Sequence, residues 1–265
     1  MSIKLFLTDL DGTLLPTGQK VSPKNIKAVQ DMVKAGIIVT IATGRMYCAA
    51  LPIAKSLNVD VPLITYNGAL IKSVNGEVYY DAYLEPSTVG GLIEFCERKG
   101  WHLQGYCDDV LYYANRNDFA KLYEAAVKVN GLEVGWNGLR KYVKDVPKML
   151  IISKNAEQTD ERIEILKSEF GDKIDAFRSN ANYIEITRHN VSKASALKIL
   201  EKKFNVDNSE TMAIGDSYND VPMLKAAGKS IAMGNATEDV KNICDYVTGN
   251  CVDDGFAQEI YNFVI

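Results

Sequence analysis

The sequence predicts an α/β protein in which a doubly wound parallel sheet is interrupted by an inserted α+β domain. Strand-like and helix-like segments alternate at both ends of the chain, which is typical of a parallel sheet with right-handed crossovers. The middle instead mixes hairpins with helices, which indicates an antiparallel sheet. We therefore expect a discontinuous core domain over residues 1–82 and 189–265 and an inserted domain over residues 83–188.

The first part of the chain has the pattern of alternating strands and helices. A short apolar run predicts a buried strand at Ile3–Thr8. Ser22-Pro23 is typical of a helix start and Gly36 of a helix end, so a helix precedes the second strand. The remaining predicted elements are a helix at Met46–Leu57 and strands at Ile37–Ala42 and Pro62–Tyr66.

The pattern changes after Asn67-Gly68. Asn75-Gly76 lies between two apolar arms within Ala69–Tyr83, which is a strong hairpin signal. Trp136 lies in a Gly-rich stretch and is assigned either to a surface loop or to a contact of the inserted domain. The other predicted strands are Trp101–Tyr106, Val110–Ala114, Lys148–Ser153 and Asn182–Thr187, and the predicted helices are Ser87–Lys99, Asp118–Val129 and Glu157–Phe170.

After Asn190 the opening pattern returns. The predicted strands here are Thr211–Ile214, Lys229–Met233 and Asp245–Thr248. The predicted helices are Ser192–Lys203, Tyr218–Ala226, Ala236–Ile243 and a last one from about Asp254. Because the tail resembles the head, one domain with a second inserted into it is the simplest organisation.

The composition excludes several function classes. Net charge is −4 and no Lys/Arg-rich run occurs, which argues against a nucleic-acid partner. No apolar segment approaches the length of a membrane span, and the N-terminal apolar stretch is too short for a signal peptide. The five scattered cysteines lack a CxxC spacing, which indicates reduced thiols. We expect a cytoplasmic protein, a monomer or weak oligomer, that acts on small molecules.

Reactive or anion-binding residues follow three predicted strands. The first strand ends in Asp9–Thr13, the second in Ala42–Arg45, and the strand that begins at Thr211 in Gly215–Asp220. Because ligands bind at the carboxyl ends of parallel strands, we expect these loops to meet. A hard divalent cation such as Mg²⁺ would relieve the resulting repulsion between four carboxylates. These belong to Asp9, Asp11, Asp216 and Asp220.

These residue types suggest distinct roles in phosphoryl transfer. Asp9, held on a metal, would act as the nucleophile, and Asp11 as general acid and then general base. Thr43 offers a hydroxyl and the Gly44 region backbone N–H groups for phosphoryl oxygens. Lys193, in the first turn of a predicted helix, offers a full positive charge beside that helix's N–H groups.

Three other residues are expected to have less direct roles. Asp220 is either a metal ligand or a group that holds Lys193, and we favour the second. His102 is interpreted as incidental. His189 is interpreted in the same way, with a hinge residue that reaches the substrate as the alternative.

Together these motifs resemble the haloacid dehalogenase superfamily. Its marks are a DxDGT box after the first strand, a Thr or Ser after the next, a Lys that opens a helix, and a GDxxxD box. The matching positions are Asp9–Thr13, Thr43, Lys193 and Gly215–Asp220. The long insertion after Asn67-Gly68 and the ATGR and GDxxND forms are similar to the Cof-type branch, which has a large α+β (C2B) cap.

The resemblance implies a Rossmann-like core and Mg²⁺-dependent hydrolysis of small phosphorylated metabolites, mainly sugar phosphates, through a phospho-aspartyl intermediate on Asp9. It implies that Mg²⁺ is bound by the Asp9 side chain, the Asp11 backbone carbonyl and Asp216. It further implies a mobile cap with hinges near Ala82–Leu84 and Thr187–Asn190. The implied phosphate contacts come from the Leu10 backbone, Thr43, Gly44, Lys193 and Asn219.

Other functions remain open from the sequence. A phosphotransferase or phosphomutase would use the same intermediate, and a non-catalytic module could hold metal and phosphate without turnover. A dehalogenase would not need the acidic metal set. A nucleotide-binding dehydrogenase would require GxGxxG after the first strand, where this chain has none.

Overall fold

The computed structural model describes residues 3–58 and 60–264. This part of the chain separates into two compact units. The core unit comprises the described residues up to Tyr80 and those from Ser192 onward, and the inserted unit is Asp81–Val191. Residues 1 and 265, the predicted ends of the core domain, lie outside the described residues.

The first part of the chain forms the predicted alternation of strands and helices. Helix α1 begins after Ser22, whose side chain accepts a hydrogen bond from the N–H of Asn25 at 3.1 Å. The elements are β1 Leu5–Thr8, α1 Pro23–Lys34, β2 Ile38–Ala42, α2 Tyr47–Ser56, β3 Leu63–Thr65, β4 Leu70–Lys72 and β5 Val78–Asp81.

The inserted unit is an α+β structure built on a sheet of order β10-β11-β9-β6-β7-β8 over the described residues. One face of this sheet packs against α3 and α6 through apolar side chains that include Leu103, Ile151 and Ile186. The elements are α3 Pro86–Lys99, β6 His102–Cys107, β7 Val110–Tyr113, α4 Asp118–Val127, β8 Leu132–Glu133, α5 Gly135–Tyr142, β9 Met149–Ile152, α6 Ala156–Phe170, β10 Ile174–Asn180 and β11 Tyr183–Arg188.

The inserted unit contains elements that the sequence did not predict. Helix α5 includes Trp136, which we had assigned to a loop or a contact, and its two glycines are poor helix formers. It forms nevertheless because Leu139 is fully buried in the apolar cluster of this unit. Strand β10 was also missed, because its sequence mixes polar and apolar residues without a clear strand pattern. It forms because it pairs with β11, with one irregularity between Arg178 and Asn180.

The last part of the chain returns to the core unit. Here the predicted helix at Tyr218–Ala226 starts only at Val221, because the Asp220 carboxylate ties the preceding residues into a loop. The predicted helix at Ala236–Ile243 is reduced to a short one. The elements are α7 Lys193–Phe204, β12 Thr211–Gly215, α8 Val221–Ala226, β13 Lys229–Ala232, α9 Glu238–Lys241, β14 Tyr246–Val247 and α10 Gly255–Glu259.

The core sheet confirms the predicted fold class. Its order over the described residues is β14-β13-β12-β1-β2-β3-β4-β5. The first six strands in this order pair in parallel, and β4 is antiparallel to its neighbour β3. The chain proceeds from β1 toward one edge and from β12 toward the other. The change of direction between these two neighbours is the switch point at which α/β sheets of this kind bind ligands.

Strand β1 is buried on both faces, as expected for a central parallel strand. Leu5 and Leu7 belong to the apolar cluster that includes α7 and α8. On the other face Phe6 packs edge-to-face on Phe256 of α10, with ring centroids 6.1 Å apart. This packing fixes the strand end that carries Asp9. Among residues 3–58 and 60–264, no helix combines the length and apolar character that crossing a membrane requires.

Candidate active site

Three loops at the carboxyl ends of adjacent strands form the candidate site. We call them the DLDGT loop (Asp9–Thr13, after β1), the TGR loop (Thr43–Arg45, after β2) and the GDSYND loop (Gly215–Asp220, at the end of β12). Because β12, β1 and β2 are neighbours in the sheet, the loops lie at one edge. Lys193, the first residue of α7, reaches the same place.

The Lys193 ammonium lies between two carboxylates. Its Nζ donates to Asp9 Oδ1 at 2.7 Å and to Asp220 Oδ1 at 2.6 Å. Ser192 caps α7, with Ser195 completing a reciprocal capping box, so the helix start is fixed. Burial opposes the charged form, but Asp220 and Asp9 outweigh it and raise the pKa of Lys193 above its ordinary value. The lysine therefore stays charged.

Both oxygens of Asp220 are engaged. Oδ1 binds Lys193, and Oδ2 accepts the backbone N–H groups of Asp216 and Ser217, each at 3.1 Å. A Cβ on Gly215 would lie 2.7 Å from the Asp220 Cγ, so the loop closes tightly on this carboxylate. Asp220 thus joins Lys193 to the GDSYND loop.

Asp9 and Asp216 are carboxylates whose ionisation is disfavoured. Burial, and then the charge of Asp220, raises the pKa of Asp9 well above its usual range. The same two causes raise the pKa of Asp216 to about 7. The Asp216 Oδ1 atom accepts a hydrogen bond from the Thr13 hydroxyl at 2.9 Å. A nearby cation would keep both groups ionised.

The donor set fits such a cation. Asp9, Asp216 and Asp220 each present an oxygen, and these oxygens lie within 4.8 Å of one another. Only oxygen ligands are offered, which suits Mg²⁺ rather than a softer metal. Gly12 permits the approach of the DLDGT loop, since its φ is +84° and a Cβ there would collide with the Asp216 carboxylate.

Asp11 points toward a different partner from Asp9. Its two oxygens accept hydrogen bonds from Nε and Nη2 of Arg45, both at 2.6 Å, in a bidentate pair. About a third of the Asp11 side chain is exposed, 32%, so it is accessible to a substrate. The sequence placed Arg45 in the loop after the second strand but gave it no role of its own, and the pair with Asp11 was not predicted.

The remaining predicted phosphate contacts are spread over the three loops. Thr43 accepts the N–H of Arg45 on its hydroxyl at 3.1 Å, and Asn219 donates to the amide oxygen of Asn67 at 3.2 Å. The Leu10 side chain is fully buried, which leaves only its backbone for a ligand. Asn67 was not predicted as a site residue.

The two histidines lie in the inserted unit. His102 is buried, and its Nε2 lies 3.2 Å from the Gln104 side-chain oxygen. His189 pairs with Asp175 at 2.8 Å. Each therefore has a protein partner within that unit.

A doubly wound sheet with a buried Asp–Lys–Asp array at its switch point suits phosphoryl transfer, because a carboxylate and a fixed positive charge lie together there. The sequence model of the haloacid dehalogenase-like hydrolases matches residues 6–260. The chain belongs to this family, in its Cof-type branch, and the enzyme is a phosphatase.

Individual relatives match over nearly the whole chain. A 5-amino-6-(5-phospho-D-ribitylamino)uracil phosphatase of Bacillus subtilis is 30% identical, covering 100% of this chain and 97% of its own. A pyridoxal phosphate phosphatase of Escherichia coli is 28% identical, covering 100% of both. The solved structure of a HAD subclass IIB sugar phosphatase, BT4131, is 27% identical and covers 99% of this chain and 100% of that one, with a TM-score of 0.86.

Proposed function

We propose that this phosphatase hydrolyses small phosphorylated metabolites in a Mg²⁺-dependent reaction that passes through a phospho-aspartyl intermediate on Asp9. The observation that carries the proposal is the contact of Asp9 with the buried Lys193 ammonium, 2.7 Å away, beside two further carboxylates. Asp9 is thereby aimed, and one of its oxygens is held while the other is left for reaction.

The first step transfers the phosphoryl group to the enzyme. A carboxylate oxygen of Asp9 attacks phosphorus, and the bond between phosphorus and the ester oxygen breaks. Asp11 gives its proton to the departing oxygen, so the product leaves as a neutral alcohol. Asp11 would carry this proton on one of the two oxygens that pair with Arg45 in the structure, so that half of the pair opens while the other half still holds the carboxyl in position.

The second step regenerates the enzyme. Asp11, now ionised, takes a proton from water as the water oxygen attacks phosphorus. The bond between phosphorus and the Asp9 oxygen breaks, which releases inorganic phosphate and restores the Asp9 carboxylate. Throughout, Lys193, the Thr43 hydroxyl, the Asn219 amide and backbone N–H groups at Leu10 and Gly44 would bind the phosphoryl oxygens.

The Asp9 side chain, the Asp11 backbone carbonyl and Asp216 would hold the Mg²⁺ ion. When bound, it supplies positive charge that offsets the phosphoryl charge and the repulsion between carboxylates. Asp220 would not be a direct ligand, because its oxygens already accept from Lys193 and from two backbone N–H groups.

We further propose that the inserted unit, Asp81–Val191, serves as the cap that excludes bulk water and selects the substrate. Proteins similar to this chain are named for pyridoxal phosphate, a phosphorylated ribitylaminouracil and sugar phosphates. Sugar phosphates are the first class to test. A core-only chain that folded and kept the wild-type order of substrates would contradict the role of the cap.

The test is phosphate release across a panel of sugar phosphates and cofactor phosphates, with and without Mg²⁺. We expect Mg²⁺-dependent release by wild type and its loss in Asp9→Asn, whereas the exposed control Asp118→Asn should behave as wild type. No release from any compound by a folded protein that binds Mg²⁺ would favour a phosphomutase or a binding module instead.

The two-step course has its own signature. Asp11→Asn removes the group proposed as general acid and general base, and each of these roles typically raises the reaction rate by roughly 10²–10⁴-fold. With p-nitrophenyl phosphate, whose leaving group needs no proton, the variant should still complete the first step. We expect a burst of one nitrophenol per enzyme followed by slow turnover, and phosphate recovered on the peptide that contains Asp9. Slow linear release without a burst would contradict the intermediate.

A further inference from the structure

The turn after β3 has an unusual backbone. Tyr66, Asn67 and Gly68 follow one another with φ values of 52°, 57° and 106°, and residues other than glycine adopt such values only at an energetic cost. The turn is held by backbone hydrogen bonds to the TGR loop, from Tyr66 N–H to Arg45 O and from Asn67 N–H to Thr43 O, both 3.0 Å. Strain retained in this way concentrates at functional sites.

The same turn lies against the helix that carries Lys193. A Cβ on Gly68 would collide with the carbonyl of Ser192, the residue that caps α7. Glycine is therefore needed for the close approach. The turn thus contacts both the TGR loop and the start of α7.

The Asn67 side chain lies among the proposed phosphate contacts. Its Oδ1 accepts from Asn219 Nδ2 at 3.2 Å, and a Cβ on Gly44 would lie 2.9 Å from Oδ1 and 3.3 Å from Nδ2. Together with the bond from its own N–H to Thr43, Asn67 touches three of the residues assigned to phosphate binding.

The Nδ2 group of Asn67 is a buried donor without an acceptor among the described residues. The residue is only 1% exposed, so bulk water does not satisfy the amide. Buried polar groups are nearly always paired, and an exception calls for a ligand or another explanation. An anionic oxygen bound among Thr43, Gly44 and Asn219 would supply the missing acceptor.

We infer that Asn67 is a further phosphate-binding residue, whose Nδ2 donates to an oxygen of the phosphoryl group while its Oδ1 orients Asn219. The inference rests on the proposed function for the identity of the anion. The backbone bond to Thr43 and the contact of Oδ1 with Asn219 hold Asn67 in place before the ligand arrives, so little ordering is needed on binding.

The experiment measures binding of inorganic phosphate to the full chain by calorimetry in the presence of Mg²⁺. Asn67→Gly keeps the positive φ and removes the amide; Asn67→Asp keeps the shape and replaces the donor by a repelling oxygen. Loss of one hydrogen bond to a charged group should weaken phosphate binding roughly 10- to 100-fold in Asn67→Gly, and further in Asn67→Asp.

Asn205→Asp is the matched control, because Asn205 also has a positive φ, 52°, and caps the far end of α7 on the surface. We expect its phosphate affinity to equal that of wild type. Thermal unfolding identifies any variant that fails to fold. Asn67→Gly should fold, because glycine adopts the positive φ of this position without strain. A folded Asn67→Gly that binds phosphate as tightly as wild type would overturn the inference, as would a wild type that binds none.

A double-mutant cycle with Asn219→Ala separates donation from orientation. We expect Asn67→Gly to weaken phosphate binding further in the Asn219→Ala background. If the second substitution had no added effect, Asn67 would act only through Asn219 and its role as a donor would be wrong. Because binding is measured without turnover, a wild type that binds phosphate but hydrolyses nothing would contradict the proposed function and leave this inference standing.

Discussion

Lys193 and Asp220 form an ion pair in which neither side chain is exposed, with 2.6 Å between Nζ and Oδ1. A buried pair of this kind is not in itself a gain in stability, because both charges lose their hydration. Its effect is on organisation: Oδ2 of the same carboxylate binds the loop that carries Asp216. One lysine thereby fixes the relative positions of the residues proposed as nucleophile, metal ligand and phosphate contact.

Replacing Lys193 by methionine should destabilise the protein strongly. The substitution preserves bulk but leaves Asp9 and Asp220 as buried carboxylates without a counter-charge, which typically costs about 3–5 kcal/mol. Lys198→Met, on the same helix and half exposed, should cost less than about 1 kcal/mol. Urea unfolding of both variants in EDTA at neutral pH measures the difference. Equal stability of the two would show that the buried ammonium is dispensable.

Asp216→Asn and Asp220→Asn should separate a metal ligand from a positioning residue. Asp216→Asn is expected to raise the Mg²⁺ concentration for half-maximal activity by more than the roughly 10- to 100-fold that can follow from losing a group that only supports a ligand. Asp220→Asn should instead lower kcat at saturating Mg²⁺ with little change in that concentration, because it disturbs Lys193. Titrations of activity with Mg²⁺ provide both readouts. If Asp220→Asn shifts the Mg²⁺ requirement as far as Asp216→Asn does, Asp220 is a ligand.

The metal-free protein should lose stability as the pH rises. Burial and the charge of Asp220 raise the pKa of Asp216 from 3.8 to about 7, and also raise that of Asp9. The folded state then binds more protons than the unfolded state between pH 3.8 and about 7. Its stability falls through this window by up to about 1.4 kcal/mol per pH unit for each group.

Thermal unfolding in EDTA across this pH range measures how steeply stability falls with pH, and Asp216→Asn should make that fall less steep. Mg²⁺ competes with the protons for the same oxygens, so it should raise Tm more at about pH 8 than at about pH 5. A melting temperature of the metal-free protein that does not change across the window would mean that these carboxyls ionise normally.

Gly12→Ala should inactivate the enzyme, and Gly18→Ala should not. Both glycines have a positive φ, +84° and +78°, so both variants incur a backbone penalty of about 1–2 kcal/mol. The new methyl group at Gly12 would collide with the Asp216 carboxylate, whereas a methyl group at Gly18 would meet no atom within 4 Å. Mg²⁺-dependent phosphate release and Tm compare the pair. An active Gly12→Ala would show that the close approach is not required.

The fold class could be predicted because the core sheet is specified by local signals. Its strands are short, apolar and bounded by glycine or helix caps such as Ser22. Helix α5 and strand β10 have no such signal. Leu139 is held by the apolar cluster of the inserted unit and β10 by pairing with β11, and neither contact can be read from neighbouring residues.

For the candidate site, sequence order and strand context predicted that Asp9, Lys193 and Asp220 would come together, although their roles remain predictions. The roles of Arg45 and Asn67 in the site could not be predicted, for a different reason. Their significance lies in partners far along the chain, Asp11 in one case and Asn219 in the other. An isolated arginine or asparagine near a strand end is common, so only the fold distinguishes these two.

The pairing of β1 with β12 has a consequence for how the enzyme comes into being. Thr8 lies in register with Ile214, so the strand that leads to Asp9 acquires this neighbour only after the inserted unit has been synthesised. Until then β1 has a free edge, and such edges invite association with other chains. Contacts between distant segments also slow folding. The strand that leads to the proposed nucleophile is therefore completed only once the chain has returned from the inserted unit.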